Sequence, residues 1–182
     1  MKRVVTCSFV LGIVVVAGSI QLRAADAIVG PLKTQWTNAR NLVVKVAEVV
    51  PEDKYDYKPT PEVRSFRDQF VHLVGENYMF MGFVAGEKSS PPQSLKTREE
   101  IVKALNDSYD YGDKILAGLT DEKATESVPA FRGQPLPKWA IVMANLMDNM
   151  DHYGNLVVYM RVNGITPPRS AAQQQRPAPP RQ

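Results

Sequence analysis

The chain has 182 residues, with 22 Lys and Arg, 19 Asp and Glu, two histidines and one cysteine. Lys2, Arg3 and Arg23 fall within the first 24 residues, which hold no acid, so the remainder balances at 19 bases to 19 acids and lacks the basic excess that nucleic-acid binding requires. Cys7 lies in the same leading segment, so residues 25–182 can form no disulfide, thiolate metal site or cysteine nucleophile.

Met1-Lys2-Arg3 is a basic start, residues 4–20 are an uncharged and almost wholly apolar run, and Arg23-Ala24-Ala25 is a small-residue exit. These are the three parts of a secretory signal. The expectation is a signal peptide over 1–24, cut after Ala24 or Ala25, and a periplasmic or secreted product. The apolar run is shorter than the roughly 20 residues of a membrane span, so no stable membrane anchor is expected after cleavage.

Residues 25–168 are expected to form one helical domain, with 16 bases to 19 acids and enough length for its own core. Helix 1 is predicted over 28–49, where Leu32, Trp36, Ala39, Val43, Val46 and Val50 follow the three-and-four spacing of an amphipathic helix, and Pro51 stops it. Residues 52–64 contain Pro59 and Pro61 and read as an ordered loop. Helix 2 starts at Ser65, which with Asp68 resembles a capping box; Phe66, Phe70, Leu73, Asn77 and Met81 trace its inner face up to Gly86. Residues 87–96 are a polar connection. Helix 3 starts with a capping box, Thr97 and Glu100, and carries Ile101, Leu105, Ser108, Tyr109, Gly112, Ile115 and Leu116 inward as far as Gly118. Residues 124–134 read as short and partly extended. Helix 4 runs from Pro137, suited to a first helical turn, to Gly164. The tail, 169–182, is rich in Pro and Gln, has little to bury and is expected to lack order. Four long amphipathic segments fit an all-α four-helix bundle, with a long crossover between helices 2 and 3.

The histidines are His72 on helix 2 and His152 on helix 4. Asp148 precedes His152 by four residues and Glu76 follows His72 by four, so each pair shares one helix face. Bundle cores build metal sites from inward carboxylates and histidines on facing helices. If helices 2 and 4 face each other, His72, Asp148 and His152 form a two-His-one-carboxylate set suited to Fe(II), Zn or Ni. Otherwise they are unrelated histidines with surface acids. Glu76 is the only general base the sequence offers, against the alternative of a surface carboxylate beside a Lys or Arg. Asn145 stands three residues before Asp148, where it could hold a ligand in place. Asp151 points about 100° away from His152 and reads as a solvated charge. Met79, Met81, Met143, Met147, Met150 and Met160 could offer thioethers to Cu(I), but their positions on helices 2 and 4 fit core filling better.

Phe70-Val71-His72-Leu73-Val74, the loop Tyr57-Lys58-Pro59-Thr60-Pro61, and the run from Asp148 through His152-Tyr153-Gly154-Asn155-Leu156 to Arg161-Val162-Asn163-Gly164-Ile165-Thr166-Pro167-Pro168 together resemble the DinB-like superfamily, and more narrowly its exported members. The likeness covers residues 27–168. It implies a four-helix bundle with a long crossover, and a divalent metal held by three histidines, one on helix 2 and two spaced four apart on the last helix. His72 matches the first and His152 the last; the middle ligand falls on Asp148, a departure that adds a negative charge and lowers the Lewis acidity of the ion. Family members with known chemistry include thiol-dependent transferases and an isomerase using low-molecular-weight thiols. Small reducing thiols are mainly cytoplasmic, so that precedent transfers poorly to an exported protein. Pairing of two copies through a helix face is also implied. Two functions remain open: a metal-dependent hydrolase or group transferase acting on a small molecule, and a non-enzymatic bundle that binds a ligand or partner with a degenerate metal site.

Overall fold

The computed structural model describes residues 26–92 and 94–175; the segment read as a signal peptide and residues 176–182 of the tail lie outside the described residues. Four long helices make up the fold: α1 (Val29–Val49), α2 (Phe66–Ala85), α3 (Arg98–Ala117) and α5 (Lys138–Val162). Between the last two come a short helix, α4 (Asp121–Thr125), and an antiparallel pair, β1 (Ser127–Pro129) and β2 (Pro135–Pro137), in which Val128 pairs with Leu136. The region expected to be partly extended therefore holds this small ribbon. No helix among the described residues is long and apolar enough to cross a membrane.

Local chemistry sets the helix ends. The Ser65 hydroxyl accepts from the Asp68 N–H while the Asp68 carboxylate accepts from the Ser65 N–H, both at 3.1 Å. Thr97 and Glu100 exchange the same bonds at 3.2 and 3.1 Å. Each box satisfies two N–H groups that the first turn leaves without partners. Gly86 closes α2 at φ 75°, a left-handed conformation that glycine takes without steric cost. α1 has no cap of its own; the Asp121 carboxylate accepts from the N–H groups of Ala27, Ile28 and Val29 instead.

The inner faces expected of helices 1, 2 and 3 are buried, apart from the half-buried Ile115. Trp36 and Tyr109 lie within this core, rings 5.2 Å apart, with the indole N–H donating to the Tyr109 carbonyl at 3.1 Å. Gly112 makes this possible, because a Cβ there would stand 2.1 Å from the indole.

The pairings give the directions. α1 packs on α3 and α5, and α2 packs on α3 and α5. α2 and α3 run the same way: Arg67 meets the Lys96 carbonyl near their starts, Asn77 donates to Ser108 at mid-helix, and the Tyr78 and Tyr111 rings meet beyond, tilted at 37°. Parallel neighbours need a connection that returns the full length of the bundle. α2 has 20 residues, or about 30 Å, and the twelve residues between Ala85 and Arg98 reach about 40 Å when extended. This is the crossover expected between the second and third helices. α2 and α5 run in opposite directions, with Gln69 beside Tyr159 and Asn77 beside Asn149.

Two expectations are revised. Pro168–Gln174, read as the start of an unstructured tail, forms a short helix, α6, which packs on α1. Of the six helical methionines, only Met81 and Met160 are core; Met79, Met143, Met147 and Met150 are exposed. Methionine periodicity cannot tell a buried stripe from one at the edge of a groove, because the same side chain suits both.

Candidate metal centre

α2 and α5 each place an imidazole and a carboxylate one turn apart at the margin of their buried stripes. Antiparallel packing sets His72 against His152 and Glu76 against Asp148. The imidazoles meet edge to face with centroids 4.7 Å apart. His72 Nε2 is 2.7 Å from Glu76 Oε1, and His152 Nε2 is 3.8 Å from both Glu76 Oε2 and Asp148 Oδ2. One ligand atom from each of the four side chains lies within 4.8 Å of the others. Four ligands about 2.1 Å from one ion stand about 3.4 Å apart in a tetrahedron, so side-chain shifts of about an ångström would let all four reach a common point.

The electrostatics fit a cation. Glu76 Oε2 and Asp148 Oδ2 are buried with no hydrogen-bond partner, a costly state for carboxylates unless something positive pairs with them. Burial, and then the Asp148 carboxylate alongside, pushes the Glu76 carboxyl well above the usual range. Burial, with the charge of Arg64, holds both histidines below their ordinary value. Two neutral imidazoles and two crowded carboxylates are a donor set suited to a divalent ion.

Gln69, which the sequence reading did not single out, orients the set. His152 Nδ1 donates to Gln69 Oε1 at 2.5 Å, which turns Nε2 toward the carboxylates, the usual device for fixing the tautomer of a ligating histidine. Its signal in the sequence was a polar residue in the inward stripe of helix 2, between Phe66 and Leu73. Glu76 is no surface carboxylate beside a Lys or Arg: its side chain is 13% exposed and belongs to the cluster. Asn145 does not hold Asp148. Its Oδ1 accepts from Asn149 Nδ2 at 2.8 Å within a separate polar network. Asp151 is exposed, as its place on the helix required.

The cluster opens sideways. His72, 30% exposed at its side chain, lines two hollows between α2 and the crossover, and Glu76 lines one of them. A larger groove, about 840 Å³, runs between α1, α5 and α6, beside Leu42, Met143, Met147 and Met150, and includes none of the four residues.

Fold and site together define a helical bundle with a His/Glu/Asp/His group placed to accept a divalent cation between two antiparallel helices. The model of the DinB family matches residues 30–180, and the chain belongs to that family. An uncharacterized protein of Bacillus subtilis, YjoA, is 29% identical over 140 residues, 73% of this chain and 89% of its own. The crystal structure of that DinB-like protein superposes with a TM-score of 0.64 at 23% identity, over 75% of this chain and 93% of its own. A DinB-like protein from Bacillus cereus superposes at 0.66 with 18% identity, over 76% and 95%. At these identities the structures speak for the fold.

Proposed function

We propose that this is an exported metalloprotein of the DinB family in which His72, Asp148 and His152, joined by Glu76, hold a divalent ion, Zn, Ni or Fe, for hydrolysis or group transfer on a small molecule. The observation that carries the reading is the pair of buried carboxylate oxygens, without partners, facing two imidazoles held neutral by burial. The basic, apolar and small-residue segments over 1–25 support export. A bound divalent ion would act as a Lewis acid, polarising a substrate oxygen or lowering the pKa of a substrate heteroatom.

The protein's own groups divide the work. Asp148 and Glu76 offset the charge of the ion, and their proton leaves when the ion arrives. Gln69 keeps His152 Nε2 aimed at the cluster. Val71 and the prolines of the crossover, Pro91 and Pro92, line the approach to His72 and Glu76 with apolar surface. If Glu76 is a ligand it is not free as a general base, so proton transfer would fall to the substrate or solvent.

The test is metal analysis of untagged mature protein. One equivalent of Zn, Ni or Fe in the wild type, lost in His72→Ala and Asp148→Ala, is the expected result; equal metal in all three proteins would overturn it. Turnover of ester and thiol-transfer substrates then separates an enzyme from a binding protein.

A further inference from the structure

The crossover returns along α2 and leaves a groove that ends on the metal cluster. One part, about 330 Å³, is lined by Val71, His72, Gly75 and Glu76 with Pro91 and Pro92. The other, about 490 Å³, lies toward the start of α2, between Arg64, Arg67 and Val71 on one side and Leu95 and Lys96 on the other. Val71 and His72 line both parts.

The charges of the second part are not all neutralised. Arg67 is engaged, its Nε 2.8 Å from Asp56 and its guanidinium on the Lys96 carbonyl. Asp68 is committed to the cap of α2 and faces Lys58 at 3.8 Å. Arg64 and Lys96 line the same hollow, and neither forms an ion pair among the described residues; the Lys96 backbone N–H bonds to Glu100, and the Lys96 charge helps to lower the Glu100 carboxyl from a distance. Two exposed cations without an ion-pair partner in contact, beside an apolar wall of Val71 and Leu95 that leads to His72, match a short molecule with a donor head at one end and an acid at the other.

We propose that the groove between α2 and the crossover selects small carboxylic acids, the carboxylate held by Arg64 and Lys96 while the other end of the molecule reaches the ion beside His72. The proposal rests on the metal reading and adds the substrate class to it. A carboxylate paired with two exposed cations gains about tenfold in affinity, and that gain weakens with salt.

The experiment is calorimetric titration of the zinc-loaded full chain with two hydroxamates that share a metal-binding head. N-hydroxysuccinamate carries a second acid; acetohydroxamate does not. The expected result is about tenfold tighter binding of the acid-bearing compound at low salt, with that advantage lost in Arg64→Gln and reduced in Lys96→Gln while acetohydroxamate binds all three proteins alike. Equal affinity for the two compounds, or an advantage that survives both substitutions, would overturn the proposal and leave the metal site standing. A protein that takes up no zinc would overturn both.

Discussion

Two polar clusters lie a turn apart between the same helices, and they solve burial in opposite ways. In the first, Asn149 Nδ2 donates to Asn77 Oδ1 at 3.0 Å and Asn145 Oδ1 at 2.8 Å, Tyr109 donates to Asn149 Oδ1 at 2.5 Å, and Asn77 donates to Ser108 at 3.1 Å. These groups are neutral, each amide has donors and acceptors, and only Asn145 Nδ2 goes without a partner. In the second, Glu76 and Asp148 offer acceptors only when ionised and cannot satisfy each other. The first network is closed within the protein but for that one amide nitrogen and acts as a lock on the register of α2 against α5. The second is incomplete by its chemistry, and a proton or a metal ion must finish it. A self-satisfied cluster reads as structural; a like-charged one on the same framework reads as a site.

The largest effect should come from breaking the lock. Asn149→Leu leaves the Asn77 carbonyl and the Tyr109 hydroxyl buried without partners, and should cost about 3 kcal/mol in urea unfolding. If both clusters depend on one register, metal affinity falls with it; intact metal affinity in a destabilised protein would show that the site does not need the lock. Gln69→Leu should come next. It frees His152 to turn and should weaken metal binding about 10- to 100-fold, read by competition with a chelator, while the metal-free protein loses the two hydrogen bonds Gln69 makes to His152 and Tyr159.

Glu76→Gln sharpens the contrast by sign. It removes one of two facing acids, so the metal-free protein should gain about 1 kcal/mol near neutral pH while metal affinity drops. The pH dependence comes from the direction of the shift. The Glu76 carboxyl is raised in the folded state, so the folded protein holds a proton that the unfolded chain releases, and stability of the metal-free form falls as pH rises toward the folded value. The histidines, lowered on folding, give the opposite slope, but only below their ordinary value of about 6.5. Above that pH the wild type should lose stability relative to Glu76→Gln, and saturating metal should abolish the difference. Parallel curves would show that the Glu76 carboxyl is not raised on folding. The smallest effect belongs to Asp151→Asn, which removes an exposed charge next to His152 in sequence and should change metal affinity less than about threefold.

Helix positions, caps and the inward stripes of helices 1 to 3 were legible in the residue pattern, because periodicity, proline placement and capping chemistry act over a few residues. The i,i+4 pairs His72 with Glu76 and Asp148 with His152 were legible for the same reason. That the pairs face each other was not, since nothing local encodes which helices become neighbours or in which direction; it rests on the parallel course of α2 and α3 and the antiparallel course of α2 and α5. The membership of Glu76, the role of Gln69, the turn of Asn145 toward Asn149 and the short helix after Pro167 depend on that packing too. Sequence alone determined the donor types and their spacing along each helix. Tertiary structure decided which donors share one point, because a residue's distance to a residue some 75 positions away is set by the packing of whole helices and not by either residue's neighbours.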